Sequence, residues 1–454
     1  MFIKWIPSNF SNYIFISTKL LKMLDMPSSN TILFKFGSWK RELKVQITET
    51  LPENTIGLSA ALRHEIFIPD ELFYEVQYSH NSLSVGPVIL YLISSRLIHK
   101  LKELKERIER YVPLNGLIML STSSWINTEK KTIEGYYFQK GEKRKSTWKK
   151  ATFSYPGVVF NREIISPELN DILYKETDGK VFNSKFFSKW KMWQWLSSDR
   201  FIRNHLPFTM EVNSCADILK YAHRYKSVYL KPKKGSSGKG ILTIRQEASH
   251  FIITNNKNDI TRTDTLYGQE LLTHLIESDN RYLLQQDMHV KHKSRNVDFR
   301  VYMQKDETQQ WKCTGTAARF AVPGRITTNL QNLDYILPGQ NAMKEIFQLS
   351  KNESRTLEKK VEAICKRACN LIDQYGCFGD IAVDCIIDHH HNVWILEMNK
   401  RYGYRSFSYL NDPDLYGQII KNPFLFASSL AGFSSYTKEP SMYGLKDLHV
   451  QSPT

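Results

Sequence analysis

Two styles of hydrophobic patterning divide this chain. Between residues 30 and 85, apolar and polar positions alternate in short runs bounded by turn-forming residues: Thr31-Ile-Leu-Phe-Lys-Phe36, Leu43-Lys-Val-Gln-Ile47, Glu65-Ile-Phe-Ile68 and Leu72-Phe-Tyr-Glu-Val-Gln-Tyr78. A period of two predicts strands, and residues 1–85 read as a small β-rich domain. After Gly86-Pro87 the style changes. The unbroken apolar run 88–93 predicts a buried strand. Residues 94–110 place Leu97, Leu101, Leu104 and Ile108 on one helical stripe, and 116–120 give the next strand, completing a βαβ unit. A further strand is expected at 157–160. Phe186, Phe187, Trp190, Trp193 and Leu196 recur at helical spacing and read as core rather than as a stacking platform. Helices are also expected at 216–225, 268–277, 355–375 and 415–431. In the third of these Leu357, Val361, Ile364, Ala368 and Leu371 face inward and Gly376 is the stop. The polar tail from Tyr436 is expected to be mobile.

Chemistry concentrates in two stretches. In Val228-Tyr-Leu-Lys-Pro-Lys-Lys-Gly-Ser-Ser-Gly-Lys-Gly240 a β-favouring run carries Lys231 into a loop of small residues, and Ile241-Leu-Thr-Ile-Arg245 leaves it as a second strand. Gly235, Ser236, Ser237, Gly238 and Gly240 allow successive backbone N–H groups to turn toward an anion, and Lys231 adds a cation from the strand. A Walker loop is excluded, because Gly238-Lys239 is followed by Gly240 and a strand rather than by Ser or Thr opening a helix. Taken alone, such a loop is more commonly a plain surface hairpin.

The second stretch is Phe378-Gly-Asp-Ile-Ala-Val-Asp384-Cys-Ile-Ile-Asp388, the turn His389-His-His-Asn392, and Val393-Trp-Ile-Leu-Glu397-Met-Asn399. A hairpin closed with Asp388 opposite Val393 sets Asp384 directly across from Glu397, Cβ atoms roughly 5 Å apart. Asn399 shares that face. Adjacent carboxylates repel unless a cation lies between them, and an all-oxygen set suits Mg²⁺ or Mn²⁺. The bland alternative is a strand pair whose carboxylates face water.

Composition narrows the setting. At 454 residues the chain needs more than one core, and 41% apolar with 24% charged residues is ordinary globular composition. The formal net charge of +16 favours anionic partners. No helix-turn-helix, zinc-finger or RNA-binding signature is present, so no specific nucleic acid is expected. No apolar run has signal-peptide or membrane-span length, and the six cysteines form no disulfide framework; a soluble cytoplasmic chain with reduced thiols is expected. Cys365, Cys369 and Cys377 with His389 to His391 match no usual zinc spacing.

Loop and hairpin together resemble the ATP-grasp superfamily, and the order of motifs from about residue 181 to 431 is similar to the YheC/YheD group of endospore coat-associated ATP-grasp proteins. The resemblance implies an α/β and α+β chain. An ATP-grasp fold of two α+β lobes clamping ATP would occupy 176–432. A Rossmann-like pre-grasp domain at 86–175 and the β-rich domain at 1–85 would precede it, and a polar tail at 433–454 would follow. It further implies that Lys189 and Lys231 hold phosphates and that Gln285 and Gln286 lie at the hinge framing adenine. Asp298 and Arg300 would form an Asp-x-Arg strand, Arg319 would follow one strand later, and Asp384, Glu397 and Asn399 would hold Mg²⁺. On this reading Arg300 and Arg319 stabilise the transferring phosphoryl group while a carboxylate is activated as an acyl phosphate for attack by an amine or similar nucleophile. The substrates would be peptides or cell-envelope or spore components. The alternative is a catalytically weak or inactive structural component of the spore coat. Two departures fall on the substrate side: Lys400-Arg-Tyr-Gly403 replaces a Pro-Gly pair after Asn399, and Gln331-Asn-Leu-Asp334 replaces paired glycines after Asn329.

Overall fold

The computed structural model describes residues 1–433 except 8–10, 28, 140–146, 234–237, 248–249, 256–258, 264–269, 271, 274–281 and 289. The expected helix at 268–277, most of the phosphate loop, the turn of the basic hairpin near 140–150, and the tail lie largely outside the described residues.

Alternating residues of the first seven strands build a mixed sheet in the order Phe2–Ile6, Thr55–Ser59, Tyr13–Ile16, Trp39–Ile47, Thr31–Phe36, Ser82–Gly86, Glu75–Ser79. Ile32, Phe34 and Phe36 are buried and the residues between them are not, as a period of two requires. Residues 65–68 depart from expectation. They are irregular rather than a strand, following the turn of 3₁₀-helix Ala60–His64, yet Ile66 and Ile68 still fill the core.

The second sheet runs Ile126–Asn127, Thr132–Gln139, Leu117–Ser121, Val88–Leu92, Val158–Asn161, Val181–Phe182, with Thr147–Phe153 against Thr132–Gln139. Val88–Leu92 is parallel to both neighbours, so the βαβ unit forms. Its helix is two pieces, Ser95–Ile98 and Leu101–Tyr111, because Lys100 (φ −101°, ψ 39°) leaves helical geometry; Ile98, Leu104 and Ile108 stay buried and Leu97 turns outward. Buried side chains of both sheets, from Ile3 to Val181, form one continuous core.

Two antiparallel six-stranded sheets follow. One runs Thr209–Glu211, Tyr282–Gln286, Ser227–Pro232, Leu242–Glu247, His250–Asn255, Ile260–Thr263. Val228 and Leu230 on its central strand pack with Ile218 and Ala222 of helix Cys215–Tyr225, so Tyr229 and Lys231 take the opposite face. The other runs Leu333–Pro338, Trp311–Ala321, Arg295–Lys305, Asp380–Ile387, Val393–Asn399, with Lys291–His292 off Arg295–Lys305. Val297, Phe299, Val301 and Met303 pack with Val361, Ile364, Cys365 and Ala368 of helix Lys351–Ile372. That helix starts on a capping box of Ser350 and Glu353. In the aromatic stripe, helix Lys189–Ser197 buries Met192 and Leu196, while Phe186 lies before it and is exposed. Helix Pro413–Leu430 packs Phe424 and Phe426 on Phe160 and Phe182, tying the last sheet to the second. Among the described residues no helix is long and apolar enough to cross a membrane.

Candidate active site

The two antiparallel sheets turn their polar faces toward a shared cavity of about 540 Å³. Lys189, Lys231, Gly238, Gln285, Gln286, Asp298, Arg300, Arg319, Asp384, Glu397 and Asn399 all line it. Gly235, Ser236 and Ser237 lie outside the described residues.

On the first wall, Lys231 pairs in register with Leu283, which sets Gln285 diagonally across on the same face. The Lys231 ammonium donates to Gln285 Oε1 at 2.5 Å, and Gln285 Nε2 donates to Thr209 Oγ1 at 3.1 Å. Gln285 thereby aims the lysine, a role not apparent from its hinge position. Gln286 Oε1 accepts instead from the Phe208 backbone N–H at 3.4 Å. Burial lowers the Lys231 pKa to about 8, with nearby Glu397 pulling the other way.

The second wall is a row of charges fixed by strand register. Asp298 is opposite Arg319, Arg300 is opposite Asp384, and Asp384 is opposite Glu397. Arg300 donates Nε to Asp384 Oδ1 and Nη2 to Asp384 Oδ2, each at 2.7 Å. Arg319 grips Asp298 in the same forked way, with Nε to Oδ1 at 2.7 Å, and its Nη2 also reaches Asp384 Oδ2 at 3.2 Å. Burial alone would raise the Asp384 carboxyl; Arg300 and Arg319 outweigh it and hold it well below the usual carboxylate range.

The hairpin register differs from expectation at its turn. Val393 faces Ile387 rather than Asp388, and a bulge between Asp384 and Cys385 leaves Leu396 as the extra residue, which brings Glu397 back opposite Asp384. Asp388 serves the turn instead, accepting from His390 N, Asn392 N and Trp394 Nε1 at 2.9 Å each.

Asn399 Nδ2 lies 3.3 Å from Asp384 Oδ2 and 2.8 Å from Glu397 Oε1, and the Lys189 ammonium is 3.4 Å from Glu397 Oε2. The repulsion between the carboxylates is therefore answered partly by protein cations. The point both carboxylates reach carries a donor, and the surrounding groups are two carboxylates and one carboxamide, so the set fits a hard divalent cation, with Asp384 the most engaged member.

The cavity also contains residues the motifs did not single out. Lys239 and Arg401 line it, and neither forms an ion pair among the described residues. Where the first wall meets the second, a Cβ on Gly238 would stand 2.7 Å from Asn329 Nδ2, and Tyr229 Oη donates to Ile326 O at 3.2 Å. The two departures on the substrate side are structural. Asn332 Nδ2 donates to Thr327 Oγ1 at 2.7 Å and Asp334 pairs with Arg295 at 2.8 Å, fixing the segment after Asn329. Beyond Asn399, the buried Lys400 donates to Asn183 O at 2.9 Å. Tyr402 and Tyr404 close on Asp380, which pairs with Arg162 of the second sheet at 2.6 Å.

The chain is 25% identical over 403 residues to the endospore coat-associated protein YheD of Bacillus subtilis (strain 168), spanning 84% of this chain and 86% of that protein. It is 21% identical over 273 residues to the endospore coat-associated protein YheC of the same organism, spanning 58% and 74%. Among solved structures, the ATP-grasp ligase PsnB complexed with minimal precursor, Mg and ADP is 13% identical, with 75% of this chain and 98% of that chain covered and a TM-score of 0.42. The family described as YheC/D like ATP-grasp matches residues 178–430, more than half of the sequence, and the chain belongs to that family and has the ATP-grasp fold.

Proposed function

We propose that the cavity binds ATP with Mg²⁺ and activates a carboxylate for attack by an amine or similar nucleophile. The observation that carries this reading is the convergence of Lys189, Lys231, Arg300 and Arg319 with Glu397 and Asn399 on one cavity of about 540 Å³. Lys231, aimed by Gln285, and Lys189 hold the phosphates, with Gly238 beside Asn329 at the same cavity. Asp384, Glu397 and Asn399 would hold Mg²⁺, which when bound neutralises charge on the phosphates. A substrate carboxylate oxygen bonds to the γ-phosphorus as the bond to the β-phosphate oxygen breaks and ADP leaves. An amine then attacks the acyl carbon, phosphate departs, and the nitrogen loses its proton. Arg300 spends Nε and Nη2 on Asp384, which leaves Nη1 to meet phosphoryl oxygens. Asp298 holds Arg319 in line. Positioning and charge carry the chemistry, and no protein nucleophile is required.

A second reading, a structural component of the spore coat with little turnover, draws on one observation: both arginines are already matched by carboxylates. The named relatives are endospore coat-associated, and we place this chain in the same setting under either reading. Calorimetry with a non-hydrolysable ATP analogue, with and without Mg²⁺, on the wild type and Lys231→Ala tests the first. Mg²⁺-dependent binding lost in the variant, followed by ADP release on adding carboxylates and amines, supports the ligase. Binding without any such release supports the scaffold, and absence of binding in the wild type sinks the nucleotide assignment.

A further inference from the structure

We propose a second anion site, away from the cleft, in a crevice between the first and second sheets that takes an oligophosphate group, free or carried by a nucleotide. Lys35 and Lys40 are direct cross-strand partners on Thr31–Phe36 and Trp39–Ile47, and Ser84 faces Lys35 from the parallel strand Ser82–Gly86. Like charges set directly opposite each other oppose folding. Here they sit on the sheet face turned away from the core, where Phe34 and Phe36 point. Lys175, in the last turn of helix Pro167–Glu176, and Lys180, just before strand Val181–Phe182, line the same crevice of about 390 Å³. That volume lies within the roughly 300–1,000 Å³ of small-molecule sites.

None of the four lysines forms an ion pair among the described residues. Of the two carboxylates lining the crevice, Glu176 is paired with Lys131 at 2.8 Å, so Asp178 is the other acid present. Four point charges on flexible stems, two from the first sheet and two from around the end of helix Pro167–Glu176, suit a ligand with several anionic oxygens along a chain better than a single carboxylate. Pro156 and Phe433 add apolar surface. Because Ala431 and Phe433, which follow helix Pro413–Leu430, also line this crevice, a bound anion would join the first sheet, the second sheet and the end of that helix.

The test is calorimetric titration of sodium tripolyphosphate, and separately ADP, into the full-length protein near physiological salt. The variants are Lys35→Ala/Lys40→Ala, Lys180→Gln, Lys231→Ala, and a surface control, Lys102→Ala/Lys359→Ala. The crevice variants are expected to weaken tripolyphosphate binding at least tenfold, while Lys231→Ala and the control retain it. A loss for both probes in the crevice variants assigns recognition to the phosphates; a loss for ADP alone makes a nucleotide the source. Unchanged affinity in the crevice variants, or an equal loss in the control, which would mean general attraction to a basic surface, overturns the proposal. Failure of the ATP reading shows separately, as ATP-analogue binding that is absent from the wild type or unchanged in Lys231→Ala, whereas the crevice proposal stands or falls on the crevice variants. Relief of the Lys35–Lys40 repulsion should leave the ligand-free variant melting no lower than wild type, and Lys180→Gln tests the opposite wall independently.

Discussion

Arg300 and Asp384 face each other on neighbouring antiparallel strands and are joined by two parallel hydrogen bonds of 2.7 Å. Asp384 is 4% exposed and Arg319 is 6% exposed, so this carboxylate is a counter-charge for one buried guanidinium group and for the half-buried Arg300. Its substitution is therefore a question of stability before it is one of catalysis.

Asp384→Ala should lower stability by about 3–5 kcal/mol, because removing one partner strands buried charge. Glu397→Gln, on the partly exposed edge strand, should lose far less while weakening Mg²⁺-dependent nucleotide binding. Urea unfolding of the two variants checks this; equal stability would mean that Arg300 and Arg319 find other partners. The depressed Asp384 pKa adds a pH signature. A carboxylate with a lowered native pKa stabilises above its unfolded value and loses that contribution as pH falls through the native one. Wild type should thus lose stability below about pH 4 more steeply than Asp384→Asn, which has no such group to protonate.

Lys231, held near pKa 8 by burial, would make the proposed nucleotide binding a proton-coupled event. A phosphate placed against it favours the ammonium, so its pKa rises on binding and the protein takes up part of a proton near pH 8. The binding heat there should vary linearly with the ionisation enthalpy of the buffer, and the slope should fall toward zero at pH 6, where the lysine is already charged. Lys231→Ala should abolish the dependence. In the free protein the sign is opposite to that of Asp384: between about pH 8 and 10.4 the unfolded chain binds a proton that the native state does not, so stability contributed by this group rises with pH.

Much of this site was legible because it rests on short-range periodicity. The alternation of Asp298 with Arg300, and of Glu397 with Asn399, places each pair on one face whatever the rest of the chain does. The bulge at Leu396 was not legible, since nothing local distinguishes a tight turn plus bulge from a longer turn without one; it is visible only in which residue Val393 faces. The role of Gln285 depends on a diagonal contact between strands more than fifty residues apart. Arg162 and Asp380 lie 218 residues apart, and the only local hint was a second acid, in addition to Asp384, in the apolar run after Gly379.

Gly238 has φ +74°, and a Cβ there would meet Asn329 Nδ2 at 2.7 Å. Gly238→Ala should therefore weaken binding of an ATP analogue by strain of about 1–2 kcal/mol in the left-handed backbone, with further loss from pushing the two walls apart. Adding Asn329→Ala removes the clash but not the strain, so the double variant should recover part of the affinity. Calorimetry on both variants checks the order; a double variant weaker than the single one would assign Asn329 a direct part in binding.

Arg162 joins segments that lie far apart in the chain. Its guanidinium meets Asp380 at 2.6 Å, the Tyr404 hydroxyl and the Tyr402 carbonyl, and Asp380, 0% exposed, also accepts from Gln304 at 2.8 Å. The second sheet thus fixes the segment that follows Asn399 and presents Arg401 to the cavity. Arg162→Ala should cost about 3–5 kcal/mol by stranding the buried carboxylate, and Arg162→Lys should recover little, because one ammonium cannot span the three acceptor positions. Affinity for the ATP analogue should change less than threefold, since Lys189, Lys231 and Glu397 are untouched, while hydrogen exchange across residues 400–404 should accelerate. An unchanged exchange rate in a destabilised variant would mean that the segment is held by Lys400 and Asn183 alone. A comparable fall in nucleotide affinity would mean that both walls of the cleft depend on the second sheet.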